Sequence, residues 1–299
     1  MQNTSNNLAS NIFLAQDQSR LRAGWRLLIA VLLTGFFFQV VDWVRTALSM
    51  EGPTSAITGS YIDFAVTTGT IYLARRFADR RTFSSLGLNL NKQTVIDIFA
   101  GMLIAFLLMF AIYIIEISFG WLKFESFAWE AEPISLVITS TLRYFVVLIF
   151  VGWNEELIYR GYILQTLTSG INLFWATLIT SVYFGLEHLS NPNSNAMAVA
   201  GIFLIGLFFT YAFIRTGQLW LSIGIHIGWN FFENAVFGFP VSGFDRPGLL
   251  NTNISGPELW TGGAFGPEAG IVILPICILG VLFVKWYTQY RIPNKDLSN

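Results

Sequence analysis

The chain has 299 residues, of which 54% are hydrophobic and only 12% are charged. Soluble domains carry roughly twice that charged fraction, so the composition excludes an ordinary soluble protein and indicates an integral membrane protein. The formal net charge of −1, together with the absence of a basic tail, argues against a nucleic-acid partner.

Apolar runs separated by polar breaks predict an all-α fold, a polytopic membrane helical bundle of about eight transmembrane helices. About 20 apolar residues suffice to cross a bilayer as a helix. The predicted spans are 24–46, 55–75, 95–121, 137–168, 171–190, 196–215, 218–238 and 269–290. They form one membrane domain over 24–290, preceded by an N-terminal segment, 1–23, and followed by a tail, 291–299.

The distribution of Lys and Arg predicts the orientation, because cytoplasmic loops of membrane proteins are enriched in these residues. The side of the two termini carries Arg20, Arg22, Arg26, Arg75, Arg76, Arg80, Arg81, Lys92, Arg215, Lys285, Arg291 and Lys295. The other side carries Arg45, Lys123 and Arg246, with Arg143 near the outer end of span 137–168. We therefore expect a multi-pass protein of the cell membrane with both termini in the cytoplasm, and the polar N-terminal residues show no signal-peptide pattern.

The segment 239–268 is rich in Gly and Pro and falls on the outer side of the predicted bundle. Such a composition is typical of an ordered loop. It fits a plain connector as well as a lid over a functional site.

Several ionisable residues lie inside predicted spans, where they are costly and usually functional. Glu155 belongs to "WNEELIYRGYILQ", and the two histidines of the chain, His188 and His226, lie in "YFGLEHL" and "SIGIHIGWNFFEN". At a rise of 1.5 Å per residue, Glu155 lies about 20 Å and His188 about 25 Å into the bilayer from the cytoplasmic side. His226 and Asn230 lie about 12 to 18 Å deep, so we expect all four side chains at similar levels.

Helical geometry assigns different roles to the two adjacent glutamates. Successive residues of a helix point about 100° apart, so Glu155 and Glu156 do not face one cavity together. Glu156 and Arg160 are four residues apart and are expected to form an ion pair. Glu155 is then the available carboxylate, and Glu233, seven residues after His226, is a candidate further polar partner on that face.

Three short motifs occur in order on separate predicted spans: "EELIYR", "FGLEH" and "HIGWN". They match the patterns Glu-Glu-x-x-x-Arg, Phe-x-x-x-His and His-x-x-x-Asn. In this arrangement the chain resembles the CPBP family of intramembrane proteases, the CAAX protease and bacteriocin-processing group, also called the Abi family. The motifs cover a core of about 140–238, and "GGAFGPEAG" before the last span is similar to bacterial members, which implies a bacterial inner membrane.

The resemblance implies a CAAX-protease-like peptidase that acts on a membrane-embedded or membrane-associated peptide or protein. It implies that Glu155 is the catalytic carboxylate and that His188 helps it to activate water. His226 and Asn230 would stabilise the oxyanion, while Glu156 and Arg160 would support the site.

The residue chemistry leaves the catalytic type open. Glu155 with His188 can act as base and proton carrier, while His226 and Asn230 can donate hydrogen bonds to an oxyanion. Glu155, His188 and His226 also have the composition of a catalytic site for zinc or another divalent metal, although the His-Glu-x-x-His spacing of soluble zinc proteases is absent. The alternative functions are a transporter or proton pathway built on the same buried charges and a catalytically idle scaffold or immunity protein.

Overall fold

The computed structural model describes residues 13–15, 20–48 and 55–291. Most of the predicted N-terminal segment and tail lie outside these residues, as does Lys295. The described part contains eight long helices, which we number in chain order. Their bounds are α1 Ala23–Ala47, α2 Ala56–Leu73, α3 Lys92–Ser118, α4 Ile134–Thr168, α5 Leu173–Glu187, α6 Ala196–Thr216, α7 Trp220–Asn230 and α8 Ile273–Tyr290.

Each long helix coincides with one predicted span, so the prediction of an all-α polytopic membrane bundle is confirmed. Within the described residues, five helices are long and apolar enough to cross a membrane, namely α1, α3, α4, α6 and α8. The count of eight transmembrane helices therefore remains a prediction. Of the other three, α5 and α7 are only 15 and 11 residues long.

Short irregular elements interrupt or join these helices. Turns of π-helix follow α2 at Ala74–Ala78, lie within α4 at Leu157–Ile163 and continue α7 at Phe231–Val236. Turns of 3-10 helix lie at Phe83–Leu86, His188–Ser190, Gly263–Phe265 and Pro267–Ala269, and single α-turns at Ala128–Ala131 and Glu258–Thr261. A wider π-turn shifts every following side chain around the axis, and such turns occur frequently at functional sites.

The sequence analysis did not predict the two-stranded antiparallel ribbon. It joins β1, Leu122–Phe127, to β2, Leu250–Ile254, with an irregularity between Phe124 and Ser126. The ribbon connects the segment after α3 to the loop 239–268, which is therefore an ordered part of the fold.

Helix α7 lies at the centre of the bundle, and all residues from Trp220 to Trp229 are buried. It packs directly on α3 through glycines of both helices. A Cβ added to Gly101 would lie 2.6 Å from the backbone of α7, and one added to Gly224 would lie 2.3 Å from the carbonyl oxygen of Ile98. Gly224 and Gly228 thus form a small-residue stripe that lets two helix backbones touch, and this contact fixes the position of α7, which carries His226.

Candidate active site

The predicted ion pair on α4 is present and lies at the centre of the bundle. Arg160 Nη1 donates to Glu156 Oε1 at 2.7 Å, and both side chains are fully buried. Arg160 Nη2 also donates to the carbonyl of Gly206 at 3.0 Å. The guanidinium carbon lies 4.6 Å from the ring centre of Phe184 and 5.2 Å from that of Phe209, so α4 is connected to both α5 and α6.

Glu156 also contacts a histidine, which the sequence analysis did not foresee. Its Oε1 atom lies 3.0 Å from His226 Nδ1. Because a carboxylate accepts hydrogen bonds, this contact requires the proton of the ring to be on Nδ1. The buried glutamate thereby fixes the orientation of His226 and leaves its Nε2 atom on the side of Glu155 and the cavity.

Glu155 is the more accessible glutamate of the pair. Its side chain is 29% exposed, whereas that of Glu156 is fully buried. Glu155 Oε2 lies 3.7 Å from His226 Nε2, which is too long for a direct hydrogen bond but suits a bridging water. The helical phase thus separates the two carboxylates as the sequence predicts, one into the protein and the other towards open space.

His188 begins the 3-10 turn at the end of α5. Its Nδ1 atom lies 2.8 Å from the carbonyl oxygen of Phe184, so Nδ1 donates and Nε2 remains free. The Phe184 ring is 5.0 Å from the His188 ring and 6.3 Å from the His226 ring, centre to centre. One aromatic side chain therefore packs against both histidines.

All four proposed catalytic side chains line one cavity of about 390 Å³. Glu155 comes from α4, His188 from the end of α5, and His226 and Asn230 from α7. The structure does not bring Glu155 into direct hydrogen bonding with His188; the two share the cavity only. The remaining walls are mainly apolar, which is the usual composition of a small-molecule or peptide site.

A second glutamate lines the same cavity as Glu155 and was not singled out from the sequence. Glu187 precedes His188, and the hydroxyl of Tyr159 donates a hydrogen bond to its Oε2 atom. Its position directly before His188 in "YFGLEHL" was the one feature of the sequence that could have identified it as a site residue.

The loop 239–268 forms part of the cavity wall, through Val241, Ser242, Phe244, Arg246 and Glu268. The loop therefore both connects two helices and forms part of the wall of the candidate site. The sequence analysis did not identify these residues because they come close to the motifs only through the tertiary fold.

Glu268 holds this wall in place. Its carboxylate accepts hydrogen bonds from Ser242 N at 2.8 Å, Ser242 Oγ at 2.6 Å and Trp229 Nε1 at 3.1 Å. Burial raises the pKa of the Glu268 carboxyl and outweighs the opposing effect of the Ser242 hydrogen bonds. Asn191 Nδ2 donates to the carbonyl of Ser242 at 3.0 Å, and Ser242 has a left-handed backbone with φ of 47°. Glu268 and Asn191 together stabilise this uncommon conformation above the site.

Glu233 does not join the cavity, although it lies seven residues after His226. It is fully buried and is absent from the cavity wall. The expectation assumed a continuous α-helix, but the chain turns into a π-helix after Asn230, which rotates the following side chains away from that face.

The proposed metal ligands do not fit a metal site in this arrangement. Among the described residues, no group of three or more His, Cys, Asp or Glu side chains is placed to hold a metal ion. A catalytic zinc site requires three protein ligands at about 2.0–2.2 Å from one point. We therefore derive no step through a metal.

Comparison with known proteins places the site within a family. Residues 137–232 match the family model of type II CAAX prenyl endopeptidase Rce1-like proteins. This segment, about a third of the chain, is similar to an Rce1-like domain. That domain contains all three motifs, and it confirms the resemblance to the CPBP family.

Two bacterial relatives extend the similarity beyond this domain. "Uncharacterized protein YyaK" of Bacillus subtilis (strain 168) is 28% identical over 224 residues, which cover 71% of this chain and 73% of that protein. "Putative membrane peptidase YdiL" of the same organism is 30% identical over 105 residues, which cover 34% of this chain and 37% of that protein. No solved structure matches the chain. The chain is thus a multi-pass membrane protein that is similar, over residues 137–232, to a family of membrane peptidases.

Proposed function

We propose that this protein is an intramembrane endopeptidase that hydrolyses a peptide bond with a water molecule activated by Glu155 and His188. The observation that carries the proposal is the shared cavity. Four polar side chains from three helices line it, and all four lie within the Rce1-like domain. Peptide hydrolysis needs a base, a proton carrier and an oxyanion stabiliser, and this set of side chains supplies each of them.

The first step assigned to these residues is attack by water. Glu155, the accessible carboxylate, accepts a proton from the water while the water oxygen bonds to the peptide carbonyl carbon. The free Nε2 atom of His188 orients that water or receives the proton in turn. The proton then passes to the leaving nitrogen, the C–N bond breaks, and a carboxyl group and an amine are released.

His226 and Asn230 are assigned to the oxyanion that forms between these steps. Because Nδ1 of His226 donates to Glu156, the ring donates from Nε2 only when it carries a second proton. The buried Glu156 carboxylate holds the ring in one orientation, as an orienting carboxylate does in a catalytic triad. Arg160 in turn neutralises Glu156, so the support pair acts on the chemistry through His226.

We further propose that the substrate is a membrane-embedded or membrane-associated peptide or protein and that both termini of the enzyme are cytoplasmic. In this orientation the loop 239–268, which forms part of the cavity wall, lies on the outer side of the membrane.

Cleavage of a defined peptide library by the purified protein in nanodiscs tests this function. Performed in H₂¹⁸O, a single turnover should place one ¹⁸O atom in the new carboxyl group, because water is the nucleophile. Proton uptake into liposomes without any peptide cleavage would support the transporter alternative instead. Absence of both activities would support the idle scaffold.

A further inference from the structure

A second cavity adjoins the candidate active site. It has a volume of about 410 Å³, and Tyr144 and Arg246 line both cavities. It extends along the outer half of α4 past Ser140 and Leu136, beside Pro247 and Gly248. The second cavity thus offers room, beside Tyr144 and Arg246, for a part of the substrate chain beyond the scissile bond.

Arg246 stands at the junction of the two cavities and is the only Lys or Arg among the described residues that line either of them. Its side chain is exposed, and its guanidinium carbon lies 5.2 Å from the centre of the Tyr144 ring. Within the described part of the chain it forms no ion pair. Glu132 lines the second cavity as well but does not pair with it.

The backbone around Arg246 is tied to the active-site helix. Asn234 Nδ2 donates to the carbonyl of Arg246 at 3.2 Å, and Leu249 N donates to the carbonyl of Ala235 at 2.8 Å. A Cβ on Gly248 would lie 2.4 Å from the carbonyl oxygen of Asn234, so the loop packs against the π-turn after α7. The position of Arg246 is thus fixed relative to Asn230.

The charges of the cavities favour one place for an anionic substrate group. The catalytic cavity is lined by three acidic side chains, Glu155, Glu187 and Glu268, and by one arginine, Arg246. Arg246 offers a planar guanidinium that can bind a carboxylate with two hydrogen bonds. A carboxylate of the substrate is therefore attracted to Arg246.

We propose that Arg246 binds a carboxylate of the peptide substrate, which sets how the chain lies across the two cavities. The carboxylate belongs either to an acidic side chain near the scissile bond or to a free C-terminus. This inference rests on the proposed peptidase function and identifies a specificity-determining residue for it.

The test uses apolar peptides synthesised in matched pairs. One arm compares C-terminal acids with the corresponding amides, and the other compares Glu with Gln at each position beside the scissile bond. We expect the wild-type protein to cleave the carboxylate member of one arm with about tenfold higher kcat/KM. Arg246→Gln should remove this preference, and high salt should weaken it because the junction is open to solvent. The arm that shows the preference identifies the source of the carboxylate.

Two matched variants separate this role from general damage. Arg143 lies beside Tyr144 on α4, is exposed and lines neither cavity, so Arg143→Gln should keep the preference. In Glu155→Gln protein, the preferred peptide should still bind more tightly than its uncharged match, because that variant keeps Arg246.

Equal cleavage of both members in both arms by the wild-type protein would overturn this inference and leave the proposed function intact. The same holds if the preference persists in Arg246→Gln. If the wild-type protein cleaves no peptide, the proposed function fails and the inference fails with it.

Discussion

Two buried charge clusters in this protein resemble each other in chemistry but differ in their surroundings. At the candidate site, Glu156 pairs with Arg160 at 2.7 Å and with His226 at 3.0 Å. At the opposite end of the bundle, Asp79 pairs with Arg26 at 2.5 Å and with Arg75 at 3.0 Å. In both clusters a fully buried carboxylate bridges two cationic or titratable side chains.

The difference lies in what stands next to each carboxylate. Both oxygen atoms of Asp79 are bonded to arginines, and Arg75 and Arg26 make further hydrogen bonds to Ser85 and Ser169. This cluster is closed and fixes α1 and α2 to the end of α4. The Glu156 cluster instead borders a cavity and has beside it a partly exposed carboxylate, Glu155. A buried ion pair therefore indicates a site only where an accessible reactive group and open space adjoin it.

The largest expected effect follows from removing the accessible carboxylate. Glu155→Gln keeps the size of the side chain but removes the base, so we expect kcat/KM for peptide cleavage to fall by about 10³-fold. The thermal unfolding midpoint in detergent should remain close to that of the wild type.

The matched control in the other cluster is Asp79→Asn. It should lower the unfolding midpoint, because two arginines lose their charge partner, while kcat per folded molecule stays within about twofold of the wild type. Near-full activity of Glu155→Gln would exclude the assigned mechanism.

A smaller loss of activity is expected from the oxyanion donor. Asn230→Ala removes one hydrogen-bond donor that acts mainly in the transition state, so kcat should fall about 10²–10³-fold with little change in KM. Asn230→Asp is the informative companion, because it keeps the size but replaces the donor with a negative charge. If Asn230→Ala proves silent while both histidines remain essential, the oxyanion role of α7 is wrong.

Local spacing was enough to predict part of this site. The four-residue separation of Glu156 and Arg160 predicts a contact within one helix, and the apolar runs predict where the long helices lie. The 100° step between Glu155 and Glu156, together with the expected ion pair of Glu156 and Arg160, also predicts that Glu155 is the accessible carboxylate. All three inferences depend on geometry inside a single helix, which the sequence determines directly.

The missing parts depend on segments that are distant in sequence. Asp79 meets Arg26, 53 residues away, and Glu268 meets Ser242 and Trp229 across the loop. We expected Glu233 on the same helix face as His226, but the π-turn after Asn230 rotates the Glu233 side chain away from that face. Glu156 has a second partner, His226, because α7 packs against α4. No periodicity within one helix contains this information.

The next effect concerns stability more than chemistry. Glu156→Ala leaves Arg160 buried without its charge partner, which costs about 3–5 kcal/mol. It also frees the His226 ring, so we expect kcat to fall in the molecules that remain folded. Asp79→Ala should cause a similar loss of stability without that loss of kcat. Thermal unfolding in detergent, measured with activity on the same samples, checks both; equal losses of kcat in the two variants would contradict the distinction between the clusters.

The smallest effect is expected from metal removal, and it decides between the two catalytic types. Among the described residues, the two histidines do not form a three-ligand group with Glu155 or another carboxylate. Prolonged treatment with a strong chelator should therefore leave peptide cleavage unchanged, and metal analysis should find well below one equivalent per protein. The His188→Ala variant gives the control, since its metal content should equal that of the wild type. Loss of activity on chelation, recovery with added Zn²⁺ and loss of one bound metal in His188→Ala would together establish a metalloprotease with Glu155, His188 and His226 as ligands.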